Sequence, residues 1–246
     1  MRAIGDTVDP AEVARFATQA ASWWDPAGSF RPLHRLNPAR LQFIRDELIR
    51  HFGRDSRSLT PFGGLALADI GCGGGLIAEP MARLGFQVTA VDADAVAIGV
   101  GKAHSQAGSL KIDYRVATAE SLARGRPRFD VVLALEIVEH LADPSLFFAA
   151  CGRLLNPGGA LIGATINRTP QSYALAIVGA EYVMRWLPRG THDWNRFLRP
   201  SEFVMGLRRA GLITTRLKGL RYRPTGDDWA QTDDLSVNYM LMAVKR

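Results

Sequence analysis

At 246 residues, with 47% hydrophobic and 22% charged residues, the chain is sized for one domain with a substantial core and lacks the bias of a disordered or fibrous protein. Net charge is +6, and the basic excess is concentrated: from Arg168 to Arg223 eleven Arg and Lys face three acids, a local +8 that suits an anionic partner. Cys72 and Cys151 fit neither a zinc spacing nor a disulfide framework, which points to a reducing, cytoplasmic setting, and no apolar run reaches the roughly 18 to 20 residues of a membrane-spanning helix.

The first residues show no apolar stretch of signal-peptide length. Asp9-Pro10-Ala11-Glu12 reads as a helix start, with Asp as cap and Pro in the first turn, and the helix is expected to run toward Trp23-Trp24 and break at DPAG. Asn37-Pro38 is read as the start of a second helix ending near His51, and GRDSRSLTPFGG as a linker of turn formers.

From residue 65 the rhythm changes. LALADI, FQVTAVD, KIDYRV, FDVVLAL and GALIGATI read as strands, with helices expected over IAEPMARLG, DAVAIGVGKAHSQAG and residues 144–155. Such alternation predicts βαβ units in an α/β fold with a doubly wound, mostly parallel sheet. Residues 173–188, YALAIVGAEYVMRWLP, read as an apolar helix too short to span a bilayer. A helix over 200–210 and strands at LITTRL and SVNYMLMAV complete seven strands. The expected organisation is a single domain: N-terminal helices at 9–52, a core at 65–167, an insertion at 168–195, and the end of the sheet at 196–246.

The chemistry concentrates in LADIGCGGGLIAEP. A strand ending in Asp69, a loop with Gly71 and Gly73, and a following helix place backbone N–H groups where an anionic group binds. No GK[ST] follows, which excludes a Walker A loop, and Leu76 stands where a dinucleotide fingerprint wants Gly or Ala. The pattern resembles instead the first motif of class I S-adenosylmethionine methyltransferases, a Rossmann-like fold. Asp92, at the tip of the second strand about 20 residues on, suits both ribose hydroxyls.

The flanking segments narrow the resemblance. FATQAASWWDPAGSFRPLHRLNPARL, EIVEHLADP, NRTPQSYALAIVGAEYVMRWLPRGTHDW and VNYMLMAV resemble the ubiquinone-biosynthesis O-methyltransferase family over nearly the whole chain. The resemblance implies methyl transfer from S-adenosylmethionine to a hydroxyl of a polyprenylated phenol or catechol, at two steps of one pathway, with other enzymes of that pathway as conceivable partners. It also implies cofactor contacts at Arg40, Gly71, Asp92 and Leu135, with Arg40 suited to the methionine carboxylate.

A phenol of pKa about 10 is largely protonated at neutral pH, so a base or metal should help. Glu136-Ile137-Val138-Glu139-His140 follows the fourth strand. If helical, Glu136, Glu139 and His140 share one face. His140 and Glu136 are the candidate base residues, and His192 with Asp193 in GTHD is a second place for one. Two Glu and one His are described as holding a divalent cation in eukaryotic relatives, but no metal is assigned here.

The insertion carries Tyr182 and Trp186, bracketed by Arg168, Arg185 and Arg189, which suits the headgroup boundary of an anionic membrane. A polyprenyl tail at about 0.8 kcal/mol per buried CH₂ does not leave the bilayer readily. The expectation is therefore a cytoplasmic protein that docks on the membrane through residues 168–190. An RNA methyltransferase would want solvated arginines beside stacking aromatics and a motif such as NPPY, and Asn156-Pro157-Gly158-Gly159 is not one, so nucleic acid is not expected as a partner. Two other readings are an O-methyltransferase of soluble phenols, separated by whether activity needs the tail, and a membrane-associated scaffold that binds the cofactor without catalysis.

Overall fold

The alternating segments after residue 65 form a single sheet. Its strands are β1 (Ala66–Ile70), β2 (Gln87–Asp92), β3 (Ile112–Val116), β4 (Phe129–Leu135), β5 (Leu155–Ile166), β6 (Leu212–Arg223), β7 (Asp228–Thr232) and β8 (Asn238–Lys245). The structure is a computed structural model and describes residues 7–9, 13, 17, 22–183 and 193–246. The strand order is β3-β2-β1-β4-β5-β8-β6-β7, parallel from β3 through β5 and antiparallel from β5 onward.

The expectation of seven strands missed β7. DWAQT is half-buried along its length, with no alternation to betray it, and it forms only as the hairpin partner of a β6 much longer than LITTRL.

The period-two pattern of the strands builds two cores. Leu67, Val88, Ala90, Val131 and Leu133 face one way and pack with α1 (Arg31–Phe52), α2 (Ala78–Arg83) and α3 (Ala95–Ala107). Ala68, Ile70, Val91, Val132 and Ala134 face the other way and pack with α4 (Ala119–Arg124), α5 (Pro144–Leu154) and α6 (Pro200–Arg209). With both faces covered, the central strands read as near-continuous apolar runs.

Two helical expectations need correction. The helix over 37–51 begins at Arg31, so Pro38 lies inside it and the first-turn proline is Pro32. α4 was not foreseen: it is six residues long and starts from a capping box, in which Ser121 N–H donates to Thr118 Oγ1 at 3.1 Å and Thr118 N–H donates to Ser121 Oγ at 2.9 Å.

Of the helix expected over 9–24, Val13 and Ala17 are helical and most other positions lie outside the described residues. Residues 173–183 of the apolar insertion are helical with π geometry (Tyr173–Val183), and 184–188 lie outside the described residues. Among the described residues no helix is long and apolar enough to cross a membrane.

Candidate active site

Between β1 and β4 the sheet order reverses, so the loops leaving the carboxyl ends of the two strands part and leave a crevice, the usual ligand position in a doubly wound sheet. The β1 loop enters it at once. Gly71 and Cys72 N–H both donate to the Val91 carbonyl, at 2.8 and 3.1 Å, which ties the loop to the end of β2. Gly71 has φ +74°, and a Cβ there would lie 2.7 Å from Ile137 Cδ1, so a side chain is doubly excluded.

Asp92 is fixed by two backbone donors. Gly73 N–H donates to its Oδ2 at 2.8 Å and Asp94 N–H to its Oδ1 at 2.9 Å. Burial still raises its carboxyl above the ordinary value. Asp69 is buried beside it, and its Oδ2 has no hydrogen-bond partner among the described residues. Burial first, and then the charge of Asp92, push the Asp69 carboxyl up to about 7.

WWD, which marked the resemblance without a role of its own, proves to be structural to the loop. The Trp23 ring stacks on Phe30 at 3.7 Å between centroids and lies along Gly73 and Gly74. A methyl group at Gly74 would sit 2.6 Å from Trp23 Cγ, and one at Gly73 would sit 2.4 Å from Cζ2. At least part of the glycine content therefore serves the close approach of a tryptophan. Trp24 donates through Nε1 to the Gly74 carbonyl at 2.9 Å and stacks on His104 at 3.5 Å. His104 is in turn hydrogen-bonded to the buried Glu79, Nδ1 to Oε1 at 2.6 Å.

Opposite the loop, the chain turns out of β4 through Glu136, whose φ is +50°, a strained value for a non-glycine residue. Glu136 pairs with Arg40 of α1, Oε1 to Nη2 at 2.5 Å, and the guanidinium is 3% exposed. Asn37 Oδ1 accepts from Arg40 Nη1 at a long 3.4 Å, and among the described residues Arg40 Nε has no hydrogen-bond partner.

The shared face expected for Glu136, Glu139 and His140 does not form. Only Val138–His140 make a turn of 3₁₀ helix, and Glu139 points into the core, where Thr165 Oγ1 donates to its Oε2 at 2.9 Å. Burial, with Glu136 nearby, holds the Glu139 carboxyl well above the usual range. Among the described residues no group of three His, Cys, Asp or Glu is placed to hold a metal ion.

Of the residues expected at the site, Gly71, Gly73, Asp92, Glu136 and His140 line the cleft. Arg40 reaches it through Glu136, and Leu135 packs into the core on the α1 side. Sequence reasoning missed Thr118, Ala119 and Glu120, which close the far end. Thr7 Oγ1 donates to Glu120 there at 2.7 Å, so the N-terminal segment forms part of the wall. The capping pattern at Thr118 was the available signal. His192 lies outside the described residues, and Asp193 caps the turn Trp194–Arg196, accepting from Asn195 N–H at 3.0 Å.

The residues present fit a zwitterionic nucleoside ligand. Among the described residues, the buried groups without hydrogen-bond partners include a carboxylate oxygen (Asp69 Oδ2), a guanidinium nitrogen (Arg40 Nε) and an indole N–H (Trp23 Nε1). Trp23 lines the cleft with a fixed carboxylate, Asp92, whereas Asp69 and Arg40, both expected at the cofactor, are not part of its lining.

A family described as "Methyltransferase domain" matches residues 68–163. The ubiquinone biosynthesis O-methyltransferase of Cereibacter sphaeroides is 53% identical over 98% of this chain and 98% of its own length. That of Paramagnetospirillum magneticum is 51% identical, over 97% and 96%. Among solved structures, a possible histamine N-methyltransferase from Thermotoga maritima superposes with a TM-score of 0.62 at 15% identity, covering 96% of this chain and 99% of that one. Magnesium protoporphyrin IX methyltransferase from Synechocystis, solved with bound S-adenosylhomocysteine (SAH), gives 0.59 at 18%, covering 83% of each. These two likenesses show the α/β methyltransferase fold.

Proposed function

Because this chain belongs to the family of ubiquinone biosynthesis O-methyltransferases, we propose that it transfers the methyl group of S-adenosylmethionine to a hydroxyl of a polyprenylated catechol, at both O-methylation steps of ubiquinone biosynthesis. The observation that carries this reading is the convergence, in one cleft, of the glycine loop and Asp92 with Glu136 and His140. The first pair suits the cofactor and the second suits the reacting hydroxyl.

When bound, the cofactor supplies a methyl carbon already activated by its sulfonium, which leaves orientation and proton transfer to the protein. Asp92, immobilised by Gly73 and Asp94, is placed to accept from the ribose hydroxyls. Gly71 lets the loop lie against Ile137 without a side chain between them. Arg40 is the cation for the methionine carboxylate, and Asp69 and Leu135, near the carboxyl ends of β1 and β4, complete the cofactor contacts. His140 takes the proton of the substrate hydroxyl, with Glu136 beside it in the cleft wall.

The chain works at the cytoplasmic face of the membrane, docked through residues 168–190. Tyr173, Leu175 and Val178 on the described part of that segment expose large apolar surfaces. One of its expected flanking cations has another role: Arg168 is ion-paired to Glu202 and donates to the Asn195 carbonyl at 3.3 Å. Arg185 and Arg189 lie outside the described residues.

Methyl transfer to a polyprenyl catechol and to the same catechol without its tail, assayed side by side, tests the substrate class. Strong dependence on the tail supports the proposal, and equal turnover of both would move the chain to soluble phenols.

A further inference from the structure

The two tryptophans of WWD differ in one atom's surroundings. Trp24 Nε1 donates to the Gly74 carbonyl at 2.9 Å, whereas Trp23 Nε1 is shielded from solvent and has no hydrogen-bond partner among the described residues. An indole N–H is a donor only, and a buried donor left unmade is costly. Trp23 does not hold this position for want of an alternative, because Phe30 stacks on its ring and His34 Nε2 lies 2.9 Å from its carbonyl oxygen. The glycines at 73 and 74 leave the space its ring fills.

The ring borders the cleft together with Gly71, Gly73 and Asp92. The carboxylates in the cleft wall include Asp92, which already accepts from Gly73 and Asp94 N–H, and Asp94, which accepts from Val96 N–H, and neither accepts from Trp23. A group of the ligand can supply the missing acceptor. The ribose hydroxyls of the cofactor are matched by Asp92, which can only accept from them when ionised. The methionine carboxylate is acceptor-only and needs several donors, of which Arg40 is one.

We propose that Trp23 is a further cofactor-binding residue, whose Nε1–H donates to the carboxylate of the bound cofactor while its ring closes the glycine loop over the methionine moiety. The inference rests on the cofactor reading above and deepens it. It adds recognition of the amino-acid end of the ligand to the packing role that WWD has against the loop.

Calorimetric titration with SAH and with 5′-methylthioadenosine, which lacks the aminocarboxylate, tests it on the full chain and its Trp23→Phe variant. SAH binding by the unsubstituted protein tests the cofactor reading itself. The variant keeps an aromatic ring but loses the N–H together with part of the indole's bulk; lost bulk should weaken both ligands alike, whereas the lost N–H should lower SAH affinity about tenfold while 5′-methylthioadenosine affinity stays within about twofold. Unchanged SAH affinity, or equal loss for both ligands, would overturn the assignment. Should the variant fold poorly by circular dichroism, the indole N–H signals of the unsubstituted chain, which has five tryptophans, give an independent reading. The Trp23 signal should move downfield with SAH and hold still with 5′-methylthioadenosine, and a signal that ignores SAH would refute the contact.

Discussion

Replacing Glu136 by Gln separates what Arg40 does without ligand from what it does with it. In the ligand-free chain the Arg40 side chain is 3% exposed, is ion-paired to Glu136 at 2.5 Å, and has among the described residues only a long 3.4 Å contact to Asn37 besides. Removing one partner of a buried pair costs about 3–5 kcal/mol. The Glu136 side chain is 24% exposed at the cleft, so screening reduces the expected loss to about 2 kcal/mol, or a fall in Tm of about 4–8 °C for a chain of this size. The same change removes the only carboxylate seen competing for Arg40.

SAH should therefore bind Glu136→Gln up to about tenfold more tightly than the unsubstituted chain, since a charge-assisted hydrogen bond is worth about 1.5–3 kcal/mol. It should also restore much of the lost Tm. Arg40→Met should do the opposite, weakening SAH about ten- to hundredfold with a smaller effect on Tm, because the glutamate it leaves can turn toward water. Thermal unfolding with and without SAH, together with titration calorimetry, reads all four quantities. If Glu136→Gln weakened SAH as much as Arg40→Met does, Arg40 would not exchange one carboxylate for the other and the reasoning would fail.

Gly74→Ala, at a residue without a positive φ, introduces only the 2.6 Å clash with Trp23, and should weaken SAH about fivefold or more in equilibrium dialysis while costing about 1–3 kcal/mol of stability by overpacking. The Asp69 carboxyl is raised from 3.8 to about 7 by burial and then by Asp92, so between about pH 4 and 7 the folded chain keeps a proton that the unfolded chain has released. Its contribution to stability is complete below pH 4 and is lost as pH rises to 7. Urea unfolding of ligand-free Asp69→Asn should accordingly lose less stability over that range than the unsubstituted chain. Glu139→Gln keeps an acceptor for Thr165 and removes a carboxyl already raised by burial, so thermal unfolding at pH 7 should change by less than about 1 kcal/mol. Leu175→Glu with Val178→Glu should abolish flotation with anionic liposomes while leaving SAH affinity intact, and unchanged flotation would remove this face from membrane docking.

The part of the fold that positions the cofactor was legible because it is written in strong local signals. β1, β2 and β4 are apolar runs ending at Ile70, Asp92 and Leu135, and the glycine loop follows the first of them. What escaped reading depends on tertiary partners. Pro38 signals a helix start by local rules, yet Arg31–Pro32 begin the helix, and its face is held down by Phe43, Ile44 and Leu48 in the core. Strand β7 exists through its pairing with β6.

At the site, Glu136, Glu139 and His140 were grouped by helical spacing. The positive φ of Glu136 and the bond from Thr165 to Glu139 break that face: Glu136 and His140 line the cleft, and Glu139 enters the core. The contact of Trp23 with Gly73 and Gly74 spans about fifty residues of sequence, and no periodicity in either segment announces it.

Methylation of a polyprenyl catechol is tested by incubating the protein with S-adenosylmethionine and that substrate in anionic liposomes, and following SAH formation together with the mass of the lipid product. The prediction is one O-methyl group added per SAH formed. Intact SAH binding with no methylated lipid would contradict the assigned substrate and leave only the fold and the cofactor standing.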